Sequence, residues 1–494
     1  MGSFADAAKS EANFVQTENG AMALESTGSA CLDLFGSIGS LREADAGRIE
    51  RLFADAYAED PLTAVRIVFY GRDVRNGLGE RAAFRALLSY MGSHMPEAVL
   101  PNLPLVAEYG RFDDWYALVG TPCESAMWKA MRVQLDADLA AANAGRAPSL
   151  LAKWLKTADA SSQKTREMGI STALHLGRTV YDYKRQVRFL RKCLRVVERD
   201  MSANAWGEIR YDAVPSRAMM MHTAAFCRHD EERFSKYLDD VNTGKAKIHS
   251  KDLFPYDIAE KYLYTSVTPQ IEETLEAQWK ALPDYVQKGT NILVMADTSG
   301  SMMGRPMASA LGLAVYFAER NTGAYHNLFL SFSSEPQFFA IKGKTLKQKF
   351  VYLKRKGAGI WGCSTNLTRA MRKILAVAVK NHVPAEEMPE ALVIISDMEI
   401  DECAERDMLF YDETKKKFEE AGYPLPNLVF WNVNSRHDVF HVDATAAHTQ
   451  CVSGQSAGVF RQMIDALGMT PYETMQKTIG SERYAPIRIA GKAA

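Results

Sequence analysis

Asp297, Ser299 and Ser301 follow five apolar residues in the run NILVMADTSGSMM (Asn291–Met303), so one carboxylate and two hydroxyls arrive on a tight turn at the end of a buried strand. An oxygen-only set of this kind suits a hard divalent cation: Mg2+ keeps several waters and needs only one or two carboxylates from a protein. No thiol or imidazole sits in the cluster, so zinc is not expected. Two later segments offer further oxygens. Gly362-Cys363-Ser364-Thr365 precedes a predicted helix and brings the Thr365 hydroxyl, with Thr368 a weaker rival, and VIISDMEID places Asp397 directly after a long apolar strand. Glu399, Asp401 and Glu402 read as solvated charges of that loop. Ser and Asp after a strand are also ordinary turn and N-cap residues, and DTSGS alone fits that role equally. The Thr and Asp loops, in that order, favour a metal.

These side chains need a sheet to carry them. After Pro283, apolar runs bounded by turns alternate with amphipathic stretches, the pattern of a doubly wound α/β domain. The spacing predicts strands at Ile292–Ala296, Leu328–Phe332, Pro336–Ile341, Ala391–Ser396, Leu428–Asn432 and Gln450–Val452, with helices at Met307–Arg320, Thr365–Val379, Asp412–Ala421 and Val459–Ala466. In such sheets ligands bind at the carboxyl ends of the strands, near a topological switch point. Asp297 and Asp397 each follow a predicted strand, so they are expected to meet. Up to about residue 285 the periodicity is helical, as in AAFRALLSYM (Ala82–Met91), with few plausible strands. The expected division is therefore a helical domain over 1–285, a solenoid, bundle or irregular helical domain, and an α/β domain over 286–494.

At 494 residues, 47% apolar and 24% charged, the chain has the composition of a globular protein of two or more domains. The net charge of −1 hides a contrast. Residues 1–150 hold 13 Lys/Arg against 20 Asp/Glu, while residues 151–200 hold 12 against 5. Within that basic block Lys184, Arg185, Arg188, Arg191, Lys192, Arg195 and Arg199 follow one another closely. Apart from Arg185 they fall at helical spacings, with Val187, Leu190, Leu194 and Val197 on the opposite face, which predicts one amphipathic helix from Lys184 to Arg199. Such a stripe can neutralise phosphates, and it can equally be a solvated helix face. Lys153, Trp154 and Lys156 in SLLAKWLK add a cationic and stacking element.

Seven scattered cysteines with no CxxC pair argue against a disulfide framework or zinc ribbon. No apolar run approaches the roughly 18 residues of a membrane span, and MGSFADAAKSE lacks signal-peptide and myristoylation features, so a cytoplasmic protein is expected.

The set Asp297-x-Ser299-x-Ser301, Thr365 and Asp397, spread over about 290–480, resembles the metal-ion-dependent adhesion site of a von Willebrand factor A domain. YKRQVRFLRKCLRVVERDMSANAWGEIRYDAVPSRAM (Tyr183–Met219), followed by such a domain, is similar to the TROVE module of the Ro autoantigen family. CSTNL around Thr365 and SDMEID around Asp397 resemble the Ro versions of those loops. The resemblance implies a ring of HEAT-like helical repeats closed by a Rossmann-like A domain carrying Mg2+ or another hard divalent cation. It also implies a noncoding RNA as partner: a structured, Y-RNA-like molecule on the outer surface, or misfolded RNA with single-stranded ends in the central hole. GRDVRNGLGER (Gly71–Arg81) does not align to classical Ro proteins.

Other motifs fail. Gly454-Gln455-Ser456-Ala457-Gly458 matches the nucleophile elbow GxSxG, but all ten histidines precede it, whereas that fold requires its histidine after the serine. Gly357-Ala358-Gly359-Ile360-Trp361-Gly362 matches GxGxxG by letter but follows a helical stretch where a strand is needed. No enzymatic activity is expected. The alternative to RNA binding is a protein-interaction scaffold whose Mg2+ site docks an acidic residue of a partner within an assembly.

Overall fold

A computed structural model describes residues 12–286, 291–332, 334–359, 361, 364–401 and 409–491. Gly362, Cys363, Glu402, Cys403 and the N-terminal MGSFADAAKSE lie outside them. The chain opens with a short antiparallel hairpin, β1 (Phe14–Gln16) and β2 (Met22–Leu24). A long helical region follows, and the C-terminal part is built on six strands: β3 (Ile292–Asp297), β4 (Leu328–Phe332), β5 (Gln337–Ala340), β6 (Ala391–Ser396), β7 (Asn427–Asn432) and β8 (Thr449–Ser453). Among the described residues, no helix is long and apolar enough to cross a membrane.

The sheet order is β5-β4-β3-β6-β7-β8, parallel except for β5, which runs antiparallel to β4. All six residues of both β3 and β6 are buried, which explains their unbroken apolar runs: a parallel strand covered on both faces has no polar side to show. Register pairs Ala296 with Ile395, so the two strands end together, and the strand order reverses between them. That is the switch point at which the two carboxylates emerge.

One face of the sheet carries the helix Arg305–Arg320, buried continuously from Met307 to Ala318. Its outer side packs on the helix Pro255–Tyr264 so closely that a Cβ on Gly312 would lie 3.1 Å from Pro255 and Ala259. This helix thus belongs to the sheet and to the helical region at once. The opposite face is partly covered by the opening hairpin, whose Ala21 and Ala23 share a core with Leu293, Met295 and Leu392. The sequence showed no sign of this hairpin, because three-residue strands carry little period. They are held by the distant loop, Leu24 N–H donating to Phe440 O at 2.8 Å and Phe440 N–H to Leu24 O at 2.9 Å.

The two ends of the chain interlock. The helix Ala30–Ser37 runs into Gly39, where a Cβ would lie 2.7 Å from the backbone of Ser453 and Gly454 at the end of β8. GQSAG, the failed nucleophile elbow, therefore forms part of a docking surface. Arg48 donates to Ser435 O and His437 O, each at 2.7 Å, and pairs with Asp438. From the other end, the helix Pro471–Ile479 packs on Ala30–Ser37 and Pro61–Arg72. Beyond it Tyr484 stacks on Tyr109 at 5.7 Å, and Arg483 pairs with fully buried Asp73 at 2.9 Å.

The close approach at Gly39 generates a test. Gly39→Ala should destabilise the protein by about 1–3 kcal/mol, because rigid backbone, not a flexible side chain, must move to admit the methyl group. Gly207→Ala, where nothing lies within 4 Å of the added carbon, should show no such clash. Urea unfolding of both variants measures the difference.

Candidate functional site

At the switch point Asp297 is fully buried. Its Oδ1 accepts from Ser299 N–H at 2.8 Å and its Oδ2 from the Ser396 hydroxyl at 2.6 Å. Ser299 and Ser301 hydroxyls lie 3.2 Å apart. Thr365 is held by a reciprocal pair, its N–H donating to Asp401 Oδ1 at 2.9 Å and Asp401 N–H donating to Thr365 O at 2.8 Å. Its own hydroxyl is buried and has no hydrogen-bond partner among the described residues. Asp397, also fully buried, accepts from Glu399 N–H at 3.2 Å and from Arg436 Nη2 at 3.1 Å. The five sequence-predicted ligands thus stand on three segments around one end of the sheet.

Burial, and then the charge of Asp397, push the Asp297 carboxyl up from its ordinary 3.8 to about 7. A desolvated carboxylate beside a second one, with an orphaned hydroxyl nearby, fits a hard cation. Among the described residues no three His, Cys, Asp or Glu side chains gather as a metal cluster, so a cation here would lean on the hydroxyls and on water. Arg436 is a resident positive charge that the sequence reading missed; it also pairs with Glu18 at 2.5 Å. One expectation needs correcting. Glu399 is not solvated: it is wholly buried, accepting from Glu18 N–H at 2.8 Å and contacting His437 Nδ1 at 2.9 Å, because the opening hairpin covers its loop.

The second feature is a half-open cavity of about 2180 Å³ walled by the helical region, with Arg305 added by the helix Arg305–Arg320. Fourteen Lys and Arg line it against five Asp and Glu, so its wall is strongly positive. The residues come from the whole helical region and beyond, from Arg42 to Arg305. Val74, Val133, Leu150 and Met221 also line it and are among the exposed large apolar side chains, Met221 at 71%.

Of the predicted basic residues, Lys153, Lys184, Arg188, Arg191 and Arg199 line this cavity, with Trp154. Lys184 pairs with Asp159 at 2.7 Å. Arg191 serves the fold: its guanidinium donates to Ala152 O, Leu155 O and the Thr157 hydroxyl. Lys156 packs its amine 5.3 Å from the Tyr116 ring. Arg185 is 70% exposed and pairs with Asp182. Lys156, Arg185, Lys192 and Arg195 are not on the cavity wall. The predicted single helix from Lys184 to Arg199 is also corrected. It spans Val180–Cys193 and ends at Arg195, whose φ of 50° is left-handed. Arg195 N–H bonds Lys192 O and Val196 N–H bonds Arg191 O, the reciprocal closure of a helix C-terminus. The cavity arginines missed in the sequence are Arg42, Arg72, Arg75, Arg81, Arg111, Arg217 and Arg305; three of them share the glycine-rich GRDVRNGLGER and the others lie far apart in the chain.

A family model described as a domain of unknown function, DUF2828, matches residues 17–119 and 148–292, half of the chain. The chain belongs to the DUF2828 family. A second model, the domain of unknown function DUF7788, matches residues 291–487, the sheet part. In this family member the first match thus supplies most of the cavity wall and the second the switch-point cluster. Uncharacterized protein L728 of Acanthamoeba polyphaga mimivirus is 29% identical over 464 residues, covering 86% of this chain and 80% of that protein. Among solved structures the chain is similar to the crystal structure of the Deinococcus radiodurans RO (RSR) protein, at 14% identity and a TM-score of 0.35, over 89% of this chain and 92% of that one. That score is too low to carry fold detail or function across.

The switch-point electrostatics fix a pH dependence. The folded-state value of Asp297 lies above 3.8, so its protonated form is stabilised by folding; that contribution is complete below 3.8 and is lost as pH rises through about 7. With divalent cations chelated, wild-type stability relative to Asp297→Asn should fall by about 1–3 kcal/mol between about pH 5 and about pH 8, read by urea unfolding. A difference independent of pH would show that Asp297 ionises normally.

Proposed function

We propose that this protein is a Ro-like RNA-binding protein in which the basic cavity takes single-stranded RNA, such as the free end of a noncoding or misfolded RNA. The observation that carries this reading is the cavity itself. Cations drawn from remote parts of the chain converge on one cavity wall, with exposed apolar side chains set between them. Guanidinium and ammonium groups neutralise phosphates, while apolar and aromatic side chains meet unstacked bases, the combination that single strands require. The likeness of Tyr183–Met219 to the TROVE module supports the same reading, as does its place before a domain with an adhesion-site motif. On this reading the helical region is the ring of HEAT-like repeats and the sheet the A domain that closes it.

Mg2+ is proposed at Asp297, Ser299, Ser301 and Thr365, with Asp397 beside them. There it would relieve the repulsion of two buried carboxylates and give the Thr365 hydroxyl a partner. Its contribution is charge and coordination, and no reaction is proposed. A second reading, that a partner's acidic residue docks on this ion, is favoured by the exposure of Ser301 and of Met303, 64% exposed, at the turn.

The two readings separate by mutation. Reversing Lys153, Lys184 and Arg188 to Glu should weaken single-stranded RNA binding by at least about a hundredfold and lower the slope of log K against log salt by about 2. The triple reversal of Arg185, Lys192 and Arg195, off the cavity wall, should change cavity binding far less. Fluorescence anisotropy over a salt series measures both. If Asp297→Asn disrupts association and the cavity reversals do not, the docking reading replaces the RNA reading.

A further inference from the structure

The motif GRDVRNGLGER enters the cavity wall through a cluster of four guanidiniums and two carboxylates. Asp114, fully buried, accepts from Arg85 Nε at 2.6 Å on Oδ1, and from Arg72 Nε at 2.8 Å and Arg111 N–H at 2.9 Å on Oδ2. Asp113 takes a two-pronged contact from Arg111 at 2.9 and 2.8 Å and a third from Arg85 at 2.6 Å. All four carboxylate oxygens are thereby engaged. Arg81, at the N-cap of the helix Ala82–His94, has no side-chain hydrogen bond or ion pair among the described residues and opens to the cavity. Partial burial and the neighbouring Arg111 and Arg85 push its pKa down, the mark of a cation surrounded by its own kind. The adjacent Glu80 does not answer it, being held by Arg42 at 2.5 Å and by the backbone N–H groups of Arg81 and Ala82. Glu108 is likewise shared between Arg75 and Arg483.

The cluster therefore carries an excess of two positive charges on the cavity side. Arg111 is also fixed in place, gripped by Asp113 and lying 3.8 Å above the Trp154 ring. With Nε and Nη2 of Arg111 donating to Asp113, its Nη1 edge is held in a fixed direction, and beside the second, unanswered guanidinium of Arg81 it suits the charge and donor geometry of a phosphate. A terminal phosphomonoester carries about −1.5 to −2 at neutral pH, an internal phosphodiester only one negative charge, so the excess suits a chain end.

We propose that Arg81 and Arg111, backed by Arg72 and Arg85, form a phosphate-binding site on the cavity wall that takes the terminal phosphate of an RNA chain. The assignment to RNA rests on the reading of the cavity given above; the phosphate site does not. The experiment uses full-length protein in two arms. In the first, inorganic phosphate should raise the wild-type melting temperature by about 2 °C or more over chloride at equal ionic strength. Arg81→Gln, a substitution at an exposed position, should lose that rise, and Arg185→Gln should keep it. No phosphate-specific rise, or an equal rise in Arg81→Gln, overturns the site. In the second arm, short single-stranded RNAs ending in a 5′ phosphate, a 3′ phosphate or hydroxyls only are compared. One phosphorylated end should bind about tenfold more tightly to wild type, an advantage absent in Arg81→Gln. Equal binding of all three RNAs overturns the terminal-phosphate assignment. A phosphate-dependent rise with no RNA binding at all overturns the RNA reading and leaves the anion site standing.

Discussion

Gly39 meets the backbone of Ser453 and Gly454 at a distance that admits no side chain. Around that contact Arg48 reaches the carbonyls of Ser435 and His437, and Tyr484 and Arg483 return from the far end of the chain to Tyr109 and Asp73. The first helices and the last residues therefore hold each other, while the helix Pro255–Tyr264 brings the helical region back onto the sheet through Gly312. The cavity wall is drawn from the residues between these attachments, from Arg42 to Arg305. Hydrophobic burial drives the joints, since one core runs from Cys31 through the helices to the strands and on to Ile489.

The same closure sets the electrostatics. Arg42, Arg81, Arg111, Arg188 and Arg305 are spread over more than half of the sequence but line one wall. Each would be an ordinary solvated charge alone; facing each other in a confined space they create a field that favours an anion. The carboxylates that accompany them are largely committed: Asp113, Asp114, Glu80 and Glu108 hold arginines in fixed poses. Such pairs add little to stability when exposed, but they orient their donors. Where β3 and β6 end the signs are reversed, with Asp297 and Asp397 buried side by side and Arg436 against the second.

Much of the sheet was legible in the sequence, because continuous apolar runs such as ILVMA and ALVIIS can be satisfied only by strands covered on both faces. The turns after them were legible too, since chemistry-bearing residues at strand ends have a defined place in a parallel sheet. The hairpin at Phe14–Leu24 was not. Its strands are too short for a period, and its stability comes from Phe440 and from the loop around Glu399, more than 370 residues away. The cavity arginines were hidden for a related reason: local charge density marked Lys184 and Arg188, yet the same density marked Arg185, Lys192 and Arg195, which lie elsewhere. Helical spacing alone did not reveal the left-handed turn at Arg195 that ends the helix.

The proposed function puts RNA within the cavity and not on the outside of the molecule. The most direct measurement is photo-crosslinking of a 4-thiouridine-containing single-stranded RNA to the full-length protein, with the crosslinked peptides mapped by mass spectrometry. Crosslinks are expected to be confined to the cavity wall, at Trp154, Met221 and Phe254 and in the segments carrying Arg81, Arg111 and Arg188. Crosslinks concentrated on the outer helix faces, at Arg185, Lys192 and Arg195, with the cavity untouched, would contradict it.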